Sequence, residues 1–427
     1  MTSNSGAINP DKSFNGFVKK YFLLERDAKI LLGVNFFTSV AFTIYSFTLP
    51  LYLLTLGYSP PVIGLLTAIG IITMLLVVLP SGYIADRLGR RVPIIVGSLI
   101  AGFSFFLFVV MNNFFLFVIA SLLHGVSNGL QHPAMIALIS EKSSDATRKY
   151  LFTTNALLGM IASAIATFLS GYIPDLSHSI GSSAIAGFGI VFIAGGLMII
   201  LRGVGVFFVT EKKSDTSRKK QTLPQDVKTL MLKFALTNSF IGFGAGITIP
   251  WFQVYFRLKY GTTLTDIGIV FAVTNIIMAI GMFFMPMIAE RKGTVNTIII
   301  SQIMAVISLL LIPVSPLFIF VAILYIIRAV LMNIASPLQG SFNMTLIPPM
   351  ARATVTSANT FTWTITWALG NFIGGYIIDW NIDANFFVTG IFYVVYITLF
   401  YTFFHKYDLQ YENTHNVRGQ GSEVSSE

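Results

Sequence analysis

Twelve long apolar runs constrain the fold of this chain more than any other feature. Each has at least the roughly 20 residues that an α-helix needs to cross a bilayer. Only 11% of the residues are charged, too few for the polar coat of a soluble domain. We therefore predict an all-α integral membrane protein with twelve transmembrane helices. The predicted limits are 29–55, 61–84, 92–111, 114–140, 150–174, 184–209, 229–257, 265–289, 294–313, 316–347, 354–378 and 384–405.

The distribution of Lys and Arg predicts the orientation. Of the 27, 24 fall in segments on the same side as the N-terminus, counting Arg202 in the loop after the sixth run. Only Arg257 and Lys259 fall on the other side, and Arg328 lies within the tenth run. Basic residues are retained in the cytoplasm, so we expect both termini there, with the first run an uncleaved signal. Orientation explains the net charge of +9, and we expect no nucleic acid partner.

The sequence contains an internal duplication. The polar segment TEKKSDTSRKKQTLPQDVK (210–228) separates six runs from six, and residues 204 apart match. The matched pairs include Gly64 with Gly268, Asp86 with Glu290, Arg87 with Arg291, Gly89 with Gly293, Pro133 with Pro337, and GYIPD (171–175) with GYIID (375–379). The predicted organisation is an N-tail (1–28), a first bundle (29–209), a linker (210–228), a second bundle (229–405) and a disordered C-tail (406–427).

One loop carries a family resemblance. GYIADRLGRR (82–91), between the second and third runs, resembles the signature loop of the major facilitator superfamily, and AERKG (289–293) is a weaker copy. The resemblance implies two pseudo-symmetric six-helix bundles and secondary transport. It also implies that the loop latches the halves together on the inside; the corresponding residues here are Gly82, Asp86, Arg87, Gly89, Arg91, Glu290 and Arg291. The alternative is that the arginines only anchor the topology, the role expected for Arg90.

Charge is scarce inside the runs. None of the 18 Asp and Glu residues falls in the middle of one, whereas Arg328 does, at a cost of about 2.5–3.5 kcal/mol. Arg328 is a candidate for binding an anionic ligand, and its alternative is a structural arginine bonded to helix ends. Its partner at the 204-residue offset is His124, where the family often has arginine, which puts the usual coupling role in doubt.

Polar residues on single helical faces complete the candidate site. Members of the family line their central cavity with the first, fourth, seventh and tenth spans. Candidates for substrate binding or coupling are His124, Asn128, Gln131 and His132 on the fourth run, Arg328, Gln339 and Asn343 on the tenth, and Asn35, Asn238 and Trp363. For isolated amides, a helix–helix hydrogen bond is an equal alternative.

These features favour a transporter of a small neutral or anionic organic solute, working by alternating access. The alternatives are an exporter of lipophilic drugs and, from another class, a sensor that binds without transport. An enzyme is not expected, because the runs offer no carboxylate pair, metal cluster or nucleophile triad. No cofactor or metal is expected, and no phosphate-binding loop supports ATP hydrolysis. If protons drive transport, His124 or His132 would carry them. We expect a monomer in the cell membrane.

Overall fold

Helices account for all the regular structure in the described part of the chain. The computed structural model describes the backbone of residues 25–110, 112–142, 145–211, 224–292, 294–334 and 336–423. Side chains are described there except at 145–150, 282–292, 294, 334, 337, 341, 353 and 406–423. Within these ranges, ten helical segments are long and apolar enough to cross a membrane, in keeping with an all-α integral membrane protein.

The first half contains α1 (Arg26–Thr43), α2 (Leu49–Thr55), α3 (Pro60–Leu88), α4 (Arg91–Val110), α5 (Phe114–Glu141), α6 (Asp145–Ser179) and α7 (Ala184–Phe207). The second contains α8 (Gln225–Thr248), α9 (Phe252–Tyr260), α10 (Leu264–Lys292), α11 (Thr294–Leu311), α12 (Phe318–Ile334), α13 (Ser336–Leu346), α14 (Arg352–Trp380) and α15 (Ala384–Glu423).

Two of the twelve predicted runs are helical but are not among the ten. The apolar stretch of α11 is short, Val295–Leu311, and α14 is rich in Thr and Asn along its first half. The last helix also passes the predicted boundary at residue 405, so the backbone of 406–423 is helical where we expected disorder. Extending an existing helix adds a hydrogen bond per residue without a new nucleation cost.

The first and seventh runs are irregular at matching positions. A π-helical turn, Ile44–Thr48, joins α1 to α2, and a 3-10 turn, Ile249–Trp251, joins α8 to α9. At the 204-residue offset the two turns overlap, and each is followed or accompanied by a proline, Pro50 or Pro250. Such turns leave backbone groups outside the regular ladder and often mark functional sites. Both duplicated copies therefore break where they face each other.

Four glycines bring the halves together. α3 crosses α14 at Gly64 and Gly375, and α6 crosses α10 at Gly171 and Gly268. A methyl group on Gly375 would lie 2.6 Å from the carbonyl oxygen of Pro60, and one on Gly268 would lie 2.7 Å from that of Thr167. Without a bulk hydrophobic effect, helices in lipid associate through such close packing of small residues. The two crossings are related by the 204-residue offset, so the duplication extends to the interface itself.

Polar contacts and one aromatic contact reinforce this end of the interface. Asn371 donates to the hydroxyl of Thr67 at 2.7 Å. The ring of Phe47 meets that of Phe271 edge-on at 5.1 Å. All these residues lie toward the helix ends that the charge distribution places outside.

Asp175 adds an electrostatic contact to only one of the two crossings. Its carboxylate accepts hydrogen bonds from the backbone N–H and the hydroxyl of Thr265, both at 2.7 Å, at the first turn of α10. A carboxylate is stabilising there because the helix N-terminus carries partial positive charge. The matching acid is Asp379, but the residue matching Thr265 is Pro61, which has no N–H to donate.

Replacing Gly268 by Val tests the closure. The added side chain meets the backbone of α6, so we expect the crossing to separate and a cysteine placed at Phe47, buried in the native chain, to react with a membrane-impermeant maleimide. Because the chain has no cysteine, labelling reports that site alone. Gly340→Ala is the matched control, since its Cβ meets nothing within 4 Å. Equal labelling in both variants would contradict this role of the crossing.

Candidate functional site

Two adjoining cavities lie between the halves. The larger, about 760 Å³, is walled mainly by the second half, and the smaller, about 420 Å³, mainly by the first. They share one set of side chains, which we call the waist: Phe42, Ile71, Met74, Ile249, Phe271, Asn275 and Trp367. The larger cavity continues past Arg328 to residues such as Asn343 and Trp363, toward the ends that the charge distribution places inside.

Arg328 projects from α12 into the wall of the larger cavity, with 2% of the residue exposed. One guanidinium nitrogen donates to the hydroxyl of Tyr393 at 2.8 Å, and the guanidinium carbon lies 5.6 Å from the centre of the Phe252 ring. The Nε atom is buried and has no hydrogen-bond partner. No described carboxylate forms a salt bridge with it. An unsatisfied buried donor costs about 1–3 kcal/mol, and more when it is charged.

The rest of the wall is aromatic and amide-rich. Trp363 and Trp367, one helical turn apart on α14, have ring centres 5.7 Å apart. The amides of the larger cavity are Asn238, Asn275, Gln302, Asn333, Gln339 and Asn343. Among the described lining residues of both cavities there is no Asp or Glu, and the only Lys or Arg is Arg328. The wall therefore carries a single fixed positive charge.

The predicted site residues divide into three groups. Arg328, Asn238, Gln339, Asn343 and Trp363 line the larger cavity. His124 and Asn128 line the smaller one. Asn35, Gln131 and His132 line neither, although all were expected at the site.

Gln131 corrects the expectation that the polar face of the fourth run turns wholly to the cavity. Its amide oxygen accepts a hydrogen bond from Arg202 on α7, and its amide nitrogen donates to Ser127. Ser127 in turn donates to the carbonyl oxygen of Gly97 on α4 at 2.8 Å. Gln131 thus lies within the first bundle. The prediction that Arg202 lies in the inner loop is also wrong, because Arg202 lies within α7 and is 3% exposed.

His124 forms the polar floor of the smaller cavity. Its ring stacks on Tyr45 of the π-helical turn, with centres 3.5 Å apart and planes 11° apart. The Nδ1 atom of His124 is buried without a hydrogen-bond partner among the described residues, and the hydroxyls of Tyr45 and Ser121 are buried in the same cluster. Asn128 is held by a bond from its amide to the carbonyl oxygen of His124 at 3.1 Å. This cluster offers an unsatisfied imidazole nitrogen beside the cavity.

Several lining residues were not anticipated from the sequence. They are Tyr45, Phe271, Gln302, Tyr325, Asn333, Asn371 and Tyr393. Tyr393 comes from α15, outside the four spans expected to line the cavity. A lone Tyr in an apolar run has the same appearance whether it faces lipid or a cavity, so no local pattern marks it. A buried arginine without an acid was the available signal, since it needs some hydroxyl or carbonyl partner.

The proposed latch loop makes contacts within the first half only, among the side chains that the structure describes. Asp86 and Arg87 are exposed, and the guanidinium carbon of Arg87 lies 4.3 Å from the ring centre of Tyr83 on its own helix. Gly89 has a φ of +87°, which ends α3. Arg91 donates to the carbonyl oxygen of Phe207. The side chains of Glu290 and Arg291 lie outside the described residues, as does Gly293.

Arg90, expected only to anchor topology, is an element of a network that ties this loop to its own bundle. It forms a salt bridge with Glu141 at 2.6 Å. The carboxylate of Glu211 accepts from the backbone N–H groups of Arg90 and Arg91 at the start of α4. Gly82 shows open space beside its backbone, so no close helix approach occurs there.

Removing the amide of Gln131 tests the internal pairing. In Gln131→Leu the buried guanidinium of Arg202 loses its partner, so we expect the free energy of unfolding to fall by about 1–3 kcal/mol. Adding Arg202→Met removes the orphaned charge, and most of the loss should be recovered. Thermal denaturation of the purified variants measures both effects. A single variant as stable as the native chain would contradict the pairing.

Comparison with known proteins follows the same division into halves. The family model described as the Major Facilitator Superfamily matches residues 31–241 and again 234–426. The quinolone resistance protein NorA of Staphylococcus aureus (strain MRSA252) is 24% identical over 226 residues, 52% of this chain and 56% of that protein. Multidrug resistance protein 2 of Bacillus subtilis (strain 168) is 26% identical over 54% of this chain and 58% of that protein. The chain thus spans little more than half the length of these relatives.

Solved structures agree with this fold over more of the chain. A mutant of the nucleoside transporter NupG superposes with a TM-score of 0.74 at 13% identity, over 89% of this chain and 100% of that one. A bacterial homologue of the human lysosomal transporter Spinster, in an inward-facing and occupied conformation, gives 0.71 at 15% identity, over 90% and 96%. At these identities the likeness shows the fold. With the family model matching both halves, this multi-pass membrane protein belongs to the Major Facilitator Superfamily of transporters.

Proposed function

We propose that this chain is a secondary transporter that moves a small neutral or anionic organic solute by alternating access. The observation that carries the proposal is the cavity between the halves, whose described wall has one cation, Arg328, and no carboxylate. A wall of this charge favours anions or neutral molecules over cations. In this scheme the two similar bundles rock around a central site, so that the site opens first to one side of the membrane and then to the other. No ATP hydrolysis takes part in this motion.

The proposed topology is twelve transmembrane helices in the cell membrane, with both termini cytoplasmic and the chain a monomer. The ten long apolar segments, together with α11 and α14, supply twelve. With this orientation, the glycine crossings close the outer end and the larger cavity extends inward, so the described state is inward-facing. An exposed Asp86 suits this state, because the latch residues Asp86, Arg87 and Arg91 would engage the second half only when the inner end closes.

His124 is the proposed proton site if transport is coupled to protons, since it is the histidine that lines a cavity in the described residues. His132, the other candidate, lies on the same helix outside both walls.

Export of lipophilic compounds is the second candidate. It is favoured by the relatives named for quinolone and multidrug resistance and by the aromatic waist. The two candidates differ in the charge they accept: a cationic drug would meet no carboxylate in the described wall.

Spin-label distances test alternating access directly. The cysteine-free chain allows one pair at Ser182 and Ser315, across the closed end, and another at Leu88 and Met350, across the open end. We expect two distance populations at each end, with the outer distance growing as the inner one shrinks. A pair within the first half, Leu88 and Phe208, should hold one distance. A single unchanging distance at both ends, with every ligand tried, would sink the proposal.

Asp175→Ala should weaken the inward-facing state. The variant loses two bonds to a charged acceptor, worth about 1.5–3 kcal/mol each, so the inward-facing population should fall about tenfold or more relative to the outward-facing one. Asp379→Ala is the matched control, because the proline opposite that acid offers no N–H. The Ser182–Ser315 spin pair reports both variants. An equal shift in the two would mean that Asp175 contributes only general surface charge.

A further inference from the structure

We infer that the solute is a planar aromatic monocarboxylate, held by its carboxylate at Arg328 and by its ring at the waist. The inference rests on the proposed transport function and narrows its substrate class. Three features of the described cavity wall carry it: the charge, the geometry of the cation, and the position of the aromatic side chains.

The charge of the cavity wall determines how many negative groups the solute should carry. The described wall has one permanent cation and no carboxylate, so one negative charge on the solute makes the occupied site neutral. A dianion would leave a net negative charge between the halves, and a cation would leave two positive ones. Closing the site around an uncompensated charge in a low-dielectric environment is costly. A monoanion is therefore the charge type that allows both ends of the cavity to close in turn.

The cation itself favours a carboxylate. A guanidinium presents its N–H groups in one plane, matching the two oxygens of a carboxylate. One terminal nitrogen of Arg328 donates a hydrogen bond to the hydroxyl of Tyr393, and the guanidinium carbon lies over the ring of Phe252. The Nε–H is left unsatisfied. Arg328 is thus held in place by two aromatic residues, and its buried Nε–H is a donor that no described residue satisfies and that a carboxylate bound against this wall would satisfy.

Aromatic side chains surround the place where the rest of such a solute would lie. Phe42, Phe271 and Trp367 belong to both cavities, and Trp363 stands one turn from Trp367. Aromatic rings pair favourably with one another in offset or edge-to-face geometry, by about 0.5–1.5 kcal/mol beyond their area. The waist therefore favours a flat ring over a saturated one of the same volume.

The smaller cavity defines the far end of the solute. It is lined by Thr43, Ser46, Thr67, Ser163, Thr167 and Asn128, with the unpartnered Nδ1 of His124 beside it. Hydroxyls and amides without charge suit an uncharged hydrogen-bonding substituent. The carboxylate then points into the second half and this substituent into the first, so the solute bridges the two bundles.

A matched ligand series tests the inference. Binding to the full-length chain in lipid nanodiscs is measured by titration calorimetry with 2-naphthoate, 2-naphthamide, decalin-2-carboxylate, naphthalene-2,6-dicarboxylate and 2-naphthylmethylamine. We expect 2-naphthoate to bind at least about tenfold more tightly than the amide, the dicarboxylate and the amine. The saturated decalin acid should be weaker by about three- to tenfold. A hydroxyl at position 6 should strengthen 2-naphthoate.

Three variants, two at Arg328 and one at Trp367, separate the contacts. In Arg328→Gln, 2-naphthoate should fall to the affinity of the amide, and Arg328→Lys should recover part of the preference. In Trp367→Leu, 2-naphthoate and the amide should weaken together while the decalin acid does not. Arg257→Gln is the control and should leave every affinity unchanged, because Arg257 lies at the predicted outer end of α9 and donates to the carbonyl oxygen of Thr262.

Each contrary outcome is specific. Equal affinities for the acid and the amide, unaffected by Arg328→Gln, would make Arg328 structural and overturn the inference, as would tightest binding of the amine. Equal affinities for the aromatic and saturated acids would overturn its aromatic part, and no binding of 2-naphthoate would overturn it entirely. None of these results alters the spin-label distances that test alternating access, so the two proposals fail separately.

Discussion

The buried guanidinium of Arg328 is the constraint on which the chemistry of this chain depends. It is held by a tyrosine hydroxyl and flanked by aromatic rings, in a cavity wall with no described carboxylate to neutralise it. A solute that carries a negative charge compensates the charge of Arg328, whereas a neutral or cationic solute leaves it uncompensated. The size, aromatic waist and amide lining of the cavity then decide which compensating molecule fits.

Duplication explains how the same cavity is closed. Because Gly64 matches Gly268 and Gly171 matches Gly375, the same kind of helix crossing occurs twice, once between α3 and α14 and once between α6 and α10. Glycine crossings hold helices together by close van der Waals packing, so they suit an interface that must also open. The pair is not fully symmetric. Asp175 accepts hydrogen bonds at the start of α10, whereas Pro61 has no N–H to donate to Asp379. A change at Asp175 alone can therefore alter the stability of the closed end.

Much of the architecture follows from the sequence because its causes are local or periodic. Apolar length predicts the membrane-spanning helices, of which the described part of the chain contains ten long ones. The orientation predicted from the basic residues and the division into two bundles predicted from the constant offset stay predictions. The site was predicted less completely. Helical spacing placed His124, Asn128 and Gln131 on one face, but Gln131 turns toward Arg202, a partner 71 residues away. Spacing along one helix does not reveal what a neighbouring helix offers.

Tyr393 shows the same limit from the other direction. It lies 65 residues from Arg328, in a stretch of α15 that is mostly apolar and aromatic, and only the packed bundle identifies it as the partner. The break at Ile44–Thr48 was missed as well, because no proline or glycine lies within it. Contacts between distant residues and irregular backbone turns depend on the packing of the whole bundle, so the local sequence does not predict them.

The most direct measurement is the Nε–H resonance of Arg328 in arginine-labelled protein, identified by its loss in Arg328→Lys. We predict that saturation with 2-naphthoate shifts this resonance strongly, as a new charge-assisted hydrogen bond forms, and that 2-naphthamide shifts it little. A resonance that stays in place while 2-naphthoate binds would contradict the role given to Arg328, because the ligand's charge would then be held elsewhere.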